Sequence, residues 1–432
     1  MIYSFDVFDT LITRRTAVPE GIFAIMQSDL GREEFESIPL PIRNNFYQLR
    51  IMAEKLARRS YQNDQIEDVT LEQIYEALAM RGELDAAQRK QLMCLECDIE
   101  YRECVPVEKN VARVKRLLSD GETVILISDM YLPKEQIYKM LEKAAPVLAD
   151  LQMFVSGDCK KRKRTGAIYE FAMKQSDFTG VECIHTGDNE RTDVDAAAKV
   201  GISSKLSWFP ALLPIEKRLL EWTPSNVWIN RIIGCSRRAR LELGKTMLQK
   251  DEVLIGVSVG GVLLNSYVQW ILGKAVVKGV KRLYFAAPDG YILKSVTDIL
   301  IQRTGAAVET YYIHENDDTR QDMDFLDNRF ALVAVSERKS HFQTFLFGME
   351  RITETNNQIN YVFYPGRKCE IELLERICGI VQNRRDFLIG VEKFTEFFCE
   401  NGIMSVQLED MEQISKMINY IMAAPGEFLI NG

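Results

Sequence analysis

Positive charge is in deficit: 54 Lys and Arg against 62 Asp and Glu leave a formal net charge of −8 over 432 residues. A chain with that balance is not built around a nucleic-acid phosphate track, so no nucleic-acid partner is expected. Histidine is scarce: there are 3, dispersed along the chain, with His185 in a strand-like run and His341 in a helix-like one. Neither belongs to a catalytic triad. The 9 cysteines form no framework and are odd in number, which excludes a disulfide scaffold and suits a cytoplasmic protein. Cys94 and Cys97 are helix-spaced, but two further zinc ligands are missing nearby. Repeats and low-complexity tracts are absent, and with 47% hydrophobic and 27% charged residues the composition excludes disorder. At ~100–200 residues per domain, the length fits two or three.

No signal peptide is expected, because Asp6 and Asp9 interrupt the first apolar run. Long uncharged runs are few. Val253 to Leu272 is the one long enough to span a bilayer, yet it carries Ser258, Asn265, Ser266, Tyr267, Gln269 and three glycines, Gly256, Gly260 and Gly261. That polarity predicts a buried strand or loop running into a core helix, with no membrane insertion.

What is present alternates. Met1 to Phe5 reads as a buried strand ending at Asp6. From about Val18 to Cys104 apolar residues recur at helical spacing in four stripes, around Ile22–Met26, Phe46–Leu56, Leu71–Leu78 and Leu92–Ile99, and Pro106 ends the block. Strands are then expected at Val124–Ile127, Met153–Val155 and Cys183–Thr186. Helices are expected at Val111–Leu118, Ile137–Leu141, Ala167–Met173 and Val194–Val200. This predicts an α/β fold with a doubly wound parallel sheet, and a helical block inserted after its first strand. The core domain covers 1–215, with the insertion at about 16–105. Pro210, Pro214 and Pro224 mark a boundary, a linker helix occupies 216–249, and 250–432 reads as a second α/β domain with a helical tail. Its strands are expected at Arg282–Ala286, Thr310–Ile313, Phe330–Val335 and Tyr361–Tyr364.

In an open parallel sheet, ligands lie beyond the carboxyl ends of the strands. The residues found there are Asp6, Ser128, the run Lys160–Arg164, and Asp188 with Asp193. Acids, a hydroxyl and a lysine together suit a phosphate and Mg²⁺, which prefers carboxylates plus phosphate oxygens. An aspartate can also act as nucleophile through an aspartyl-phosphate. Arg50 and Glu54, four apart on a helix of the inserted block, read as an ion pair rather than as substrate ligands.

These residues also carry a resemblance. Asp6-Val7-Phe8-Asp9-Thr10-Leu11 resembles motif I of the haloacid dehalogenase (HAD) superfamily, and Ser128 after Val124–Ile127 is similar to motif II. Lys163 before Arg164-Thr165-Gly166 resembles motif III, and Gly187-Asp188…Asp193 resembles motif IV. The helical block falls where that family inserts its C1 cap. The stretches Ser4–Arg14 and Ile127–Pro133 further resemble large bacterial HAD-like proteins associated with surface-polysaccharide biosynthesis. Those have a second domain with a strand ending in Arg-Asp-Gly; here Pro288 precedes Asp289-Gly290, and the later strand runs into Ser336.

The resemblance implies a Mg²⁺-dependent phosphohydrolase or phosphotransferase acting on a small phosphorylated metabolite, a phosphosugar or nucleotide. Asp6 would be the nucleophile. Ser128 and Lys163 would hold the phosphoryl oxygens, and Asp6, the Phe8 carbonyl, Asp188 and Asp193 would hold the metal. Thr10, Arg14, Asp129 and Asn189 would stand on the substrate side. The chain departs from the family at Phe8, where its phosphatases have an acid that moves a proton. Two other readings follow from that departure: a metal-free dehalogenase-like hydrolase, or a HAD fold kept for ligand sensing or assembly. A homo-oligomer or a protein partner would use the second domain.

Overall fold

The structure is a computed structural model that describes residues 1–175, 180–286, 290–313, 330–333, 349–355, 358–364 and 383–400. The sequence expectations for Pro288, Asp289, Ser336, His341 and the chain beyond residue 400 lie outside the described residues. Two compact units are present. One comprises Met1–Ala211 with Thr223–Asn230, and the other Leu212–Trp222 with the chain from Arg231 onward.

The first unit is built on a five-stranded, fully parallel sheet. Strand β1 (Ile2–Phe5) leads into a short β2 (Ile12–Arg14). Four helices follow: α1 (Gly21–Asp29), α2 (Leu40–Tyr61), α3 (Leu71–Gly82) and α4 (Ala86–Glu103). Sequence pattern and capping agree in α3 and α4. Thr70 and Asp85 each accept from the backbone N–H three residues on, while Gln73 and Gln88 bond back to the cap backbone. Strand β3 (Cys104–Pro106) pairs antiparallel with β2, so the helical block stands on a two-stranded stem. The core then continues through α5 (Glu108–Ser119), β4 (Thr123–Ser128), α6 (Lys134–Ala144), β5 (Gln152–Val155), α7 (Ser156–Cys159), α8 (Ala167–Gln175), β6 (Cys183–Gly187), α9 (Ala196–Lys199) and β7 (Ser203–Leu206).

Strand order is β5-β4-β1-β6-β7. Alternate residues of one strand feed opposite faces. Val124 and Leu126 join Ile137 and Met140 on one side, whereas Ile125 and Ile127 join Ile168 and Ala196 on the other. The sheet is therefore doubly wound, with β1 at its centre. The fold class is α/β. β7 has no apolar run to announce it: its residues are Ser-Ser-Lys-Leu on an edge, held by register with β6.

The helical block is tied to the core at a second place besides its stem. In the α2–α3 connection, Glu67 accepts from the Arg162 N–H (2.7 Å) and the Thr165 hydroxyl (2.8 Å), and Asp68 accepts from Ser156. The Leu71 N–H donates to the Tyr131 carbonyl at 2.9 Å.

The second unit has its own five-stranded sheet of order β11-β12-β10-β8-β9, built from β8 (Arg282–Ala286), β9 (Glu309–Ile313), β10 (Phe330–Val333), β11 (Met349–Thr355) and β12 (Gln358–Tyr364). Only β11 runs antiparallel to its neighbour. The region expected to be one linker helix holds two, Pro214–Trp222 and Val227–Met247. The uncharged run at 253–272 is helical throughout, where a strand or loop was expected at its start: Asp251–Ile255 passes through a wide π-turn, Gly256–Gly260, into Gly261–Lys278.

Among the described residues, Asp251–Val277 is the one helix long and apolar enough to cross a membrane, and its apolar 18-residue stretch is 81% buried inside the structure. The glycines explain the burial. A Cβ at Gly256 would lie 2.2 Å from the Phe387 carbonyl oxygen, and one at Gly390 would lie 2.3 Å from that of Val253. The helix Arg384–Glu400 thus crosses at backbone contact, an approach that periodicity alone does not reveal. Gly390→Ala is expected to destabilise the protein by about 1–3 kcal/mol through overpacking, read as a lowered thermal midpoint. An unchanged midpoint would contradict the close crossing.

Candidate active site at the carboxyl ends of β1, β4 and β6

Asp6 follows the last residue of β1, the central strand, and its N–H donates to the Thr186 carbonyl on β6 at 2.8 Å. The chain then turns tightly. Asp9 adopts a left-handed backbone (φ 57°), and the Leu11 and Ile12 N–H groups both return to the Val7 carbonyl. The turn places Thr10 one step above Asp6, and its hydroxyl donates to Asp6 Oδ2 at 3.1 Å. Asn110 on α5 fixes the turn from outside, donating to the Thr10 carbonyl at 2.7 Å. Asp9 accepts from the Thr13 hydroxyl at 2.6 Å.

Lys163 is 2% exposed and reaches in beneath. Its ammonium donates to Asp6 Oδ1 and, at 2.7 Å, to Asp193 Oδ1. The loop carrying it is held by Asp129, whose carboxylate accepts the Lys163 backbone N–H at 2.9 Å. Asp193 comes from a wide π-turn, Glu190–Asp195, that Asn189 caps by accepting from the Arg191 and Thr192 N–H groups. Its second oxygen accepts the Asn189 N–H at 2.9 Å. Gly187 makes room for this: a Cβ there would lie 2.2 Å from Asp193 Cγ.

His185 completes the arrangement from below the sheet end. Its Nε2 lies 3.2 Å from Asp193 Oδ1 and its Nδ1 2.8 Å from Ser4 Oγ. Burial pulls the imidazole down to about 4, so the ring is neutral at pH 7 and Nε2–H donates to the carboxylate while Ser4 donates to Nδ1. Sequence reasoning passed over His185. The available signal was a polar residue in each of two apolar strands, Ser4 and His185, which prove to be register partners.

Three of the carboxylates, those of Asp6, Asp188 and Asp193, each present an oxygen within 4.8 Å of the others, a group able to hold a metal ion. The charge count fits a hard divalent cation: three carboxylates face one ammonium in a desolvated place. Without a cation, burial first and neighbouring carboxylates second push Asp188 up to about 8. Burial likewise raises Asp6 to about 7, against the pull of Lys163. Asp193 goes the other way, held well below the carboxylate range by Lys163 and His185. Both Asp193 oxygens are thus engaged by protein donors, and Asp188 is the freest of the three.

Ser128 ends β4, is 1% exposed, and its hydroxyl has no hydrogen-bond partner among the described residues. It does not cap α6, which starts from Pro133 with no side-chain cap. The other expected substrate residues have structural partners instead. Thr10 holds Asp6, Asp129 holds the Lys163 loop, Asn189 caps a turn, and Arg14 makes a bidentate pair with Glu100 (2.8 Å twice). Phe8 is partly buried beneath the Arg14 guanidinium, 4.6 Å from ring centre to Cζ. Arg50 and Glu54 do pair, at 3.3 Å, but inside the unit, with Arg50 wholly buried.

No family model matches the sequence, and no curated protein matches it. Several solved structures are similar to part of it. A 2-haloacid dehalogenase from Pseudomonas syringae pv. Tomato DC3000 is 16% identical, over 50% of this chain and 91% of that one, with a TM-score of 0.34. The HAD-hydrolase YfnB from Bacillus subtilis, bound to magnesium, is 14% identical, over 48% and 87%, with a TM-score of 0.33. A haloacid dehalogenase-like family hydrolase from Xanthomonas campestris is 11% identical, over 48% and 81%, with a TM-score of 0.33.

Raised carboxyl pKa values have a sign in stability. Asp6 and Asp188 move from 3.8 to about 7 and about 8, so the folded protein holds protons that the unfolded chain has released. Their contribution is complete below the unfolded value and is lost as pH rises through the folded ones. In EDTA the melting temperature should therefore fall as pH rises across this window. Asp188→Asn, with one charge fewer to bury, should flatten the fall. Calorimetric melting curves at several pH values check this; identical slopes in wild type and variant would contradict the assignment.

Proposed function

We propose that the protein is a HAD-type phosphohydrolase or phosphotransferase for a small phosphorylated metabolite, with Asp6 as nucleophile. The observation that carries the reading is Lys163 bridging Asp6 and Asp193 at the same strand ends where the Ser128 hydroxyl lies buried with nothing to bond. A buried, unpaired hydroxyl costs free energy unless a ligand oxygen satisfies it. An anionic phosphoryl oxygen supplies that acceptor.

Thr10 and Lys163 orient the two Asp6 oxygens. In the first step Asp6 attacks phosphorus, an Asp6 oxygen–phosphorus bond forms, and the leaving oxygen departs with the electron pair of its own bond to phosphorus. In the second, water attacks that phosphorus, the Asp6 oxygen–phosphorus bond breaks with its electron pair returning to the carboxylate, and the proton that the water loses passes to solvent. Asp6 and Asp188 would hold Mg²⁺ together with the Phe8 carbonyl, and Asp193 would support them through Lys163. The ion would supply charge neutralisation for the phosphoryl oxygens. Phe8 brings no proton to the leaving group. Substrates whose leaving oxygen needs little protonation, such as acyl or anomeric phosphates, therefore fit best.

General acid/base assistance contributes ~10²–10⁴-fold, so wild type should turn over acetyl phosphate far better than alkyl monoesters. Phe8→Asp should raise alkyl-ester hydrolysis, and Asp6→Asn should abolish turnover of both. Steady-state phosphate release decides. Halide release from 2-chloropropionate, or inertness of wild type and Phe8→Asp toward every phosphorylated substrate, would overturn the reading. Asp188→Asn should in addition weaken Mg²⁺ binding by calorimetry, and equal affinity would remove Asp188 from the metal site.

A further inference from the structure

Lys163 enters the site on a stretch, residues 160–166, that is neither helix nor strand. Lys160 opens it in a left-handed backbone (φ 56°), a conformation that residues with a side chain keep only where neighbours enforce it. The stretch is held from two sides. From the core, Asp129 accepts the Lys163 N–H at 2.9 Å. From the inserted block comes Glu67, in the α2–α3 connection. Its N–H donates to the Lys160 carbonyl at 3.1 Å. One of its carboxylate oxygens, Oε2, accepts both the Arg162 N–H at 2.7 Å and the Thr165 hydroxyl at 2.8 Å. Glu67 thus grips the chain before and after Lys163, and its own carbonyl is tied to the end of α2 by Gln62 Nε2 at 2.8 Å.

The next residue, Asp68, is 1% exposed and reaches the other loop of the site. It accepts from the Ser156 hydroxyl, whose oxygen accepts the Met130 N–H at 2.8 Å, two positions past Ser128. The Arg162 guanidinium lies between Asp68 and Asp129, with Nε 3.9 and 3.8 Å from their oxygens, so its charge belongs to the same junction.

The geometry points to Glu67 as a positioning residue for Lys163, through which the inserted block sets where the ammonium meets Asp6 and Asp193. The placement stands on hydrogen bonds alone; its consequence for turnover rests on the phosphoryl-transfer reading. A displaced stretch would leave the buried Asp6 and Asp193 carboxylates without their shared cation. Charge at position 67 is not what the grip requires. Both side-chain bonds end on one oxygen, and an amide oxygen has two lone pairs to offer. A contact that only docked the block would leave Lys163 in place when cut.

The test compares the full chain with its Glu67→Ala and Glu67→Gln variants by hydrogen exchange, resolved to single amides by mass spectrometry. The informative amides are those of Lys163 and Gly166, which bond to Asp129 and to the Lys163 carbonyl rather than to Glu67. In Glu67→Ala both should exchange about tenfold faster, the scale of one or two net hydrogen bonds. The Lys163 amine should also become open to an acetylating reagent, with Lys160 and Lys161 as references in the same stretch. Glu67→Gln should stay within about twofold of wild type. Thr165→Val removes one of the two donors, should loosen the same amides, and serves if Glu67→Ala does not fold. The double variant should be no looser than Glu67→Ala, since both cut one contact. Unmoved Lys163 and Gly166 amides in a folded Glu67→Ala overturn the inference, as does equal loosening in Glu67→Gln. Acetyl phosphate turnover with Mg²⁺ separates the two readings. A loosened lysine with kcat lowered about tenfold or more supports both. A loosened lysine in a chain inert toward acetyl phosphate keeps Glu67 in its role and removes the phosphoryl reading. Unmoved amides with turnover intact remove the Glu67 role alone.

Discussion

Lys163 is the charge on which the candidate site depends. One ammonium, almost wholly buried, neutralises two carboxylates that would otherwise repel each other across the ends of adjacent strands. Burial strengthens the attraction within an ion pair but also strips its water, a cost offset only if each member has its remaining hydrogen bonds satisfied. The surrounding parts do this. Asp129 fixes the loop that delivers the lysine, His185 and the Asn189 N–H complete Asp193, and Thr10 completes Asp6. Asp188 is raised by burial first and then by the neighbouring carboxylates of Asp6, Asp9 and Asp193, so it is the acid whose charge an added cation would relieve most.

Much of the core could be read from the chain because its signals are local. An apolar run of four to six residues ending in a polar one marked β1, β4 and β6 and so the place of Asp6, Ser128 and Asp188. Helical spacing and Pro106 marked the inserted block. What escaped depended on pairing across long sequence distances. β7 has no apolar run and exists through its register with β6. The Asp251–Ile255 helix and its glycines looked like a strand or loop because their purpose, contact with Phe387 and Gly390, lies more than a hundred residues away. Arg14 was expected on the substrate side for the same reason: Glu100 is 86 positions distant.

The inserted helices are more than a cover. Their stem is a two-stranded ribbon, and their far side is bonded to the loop that carries Lys163 through Glu67 and to the turn after β4 through Leu71. A change in the block is therefore felt at the turn after β4 and at the loop that delivers Lys163. Buried charge there follows the same logic as in the site, with the Arg14 and Arg50 guanidiniums matched to Glu100 and Glu96 on α4.

The central place of β1 sets the order in which the molecule can become whole on the ribosome. Ile2 pairs with Thr123 on one side and with Cys183 on the other, so the first strand made must wait for both neighbours. At ~5–20 residues per second, the interval before Asp193 leaves the exit tunnel is on the order of ten to forty seconds. The helices between β2 and β3 make mostly local contacts and can form within that interval. Nascent β1 meanwhile has two unpaired edges and an aspartate at its end with no lysine to face. Shielding by early helices, rather than by the sheet to come, is what this order of synthesis demands.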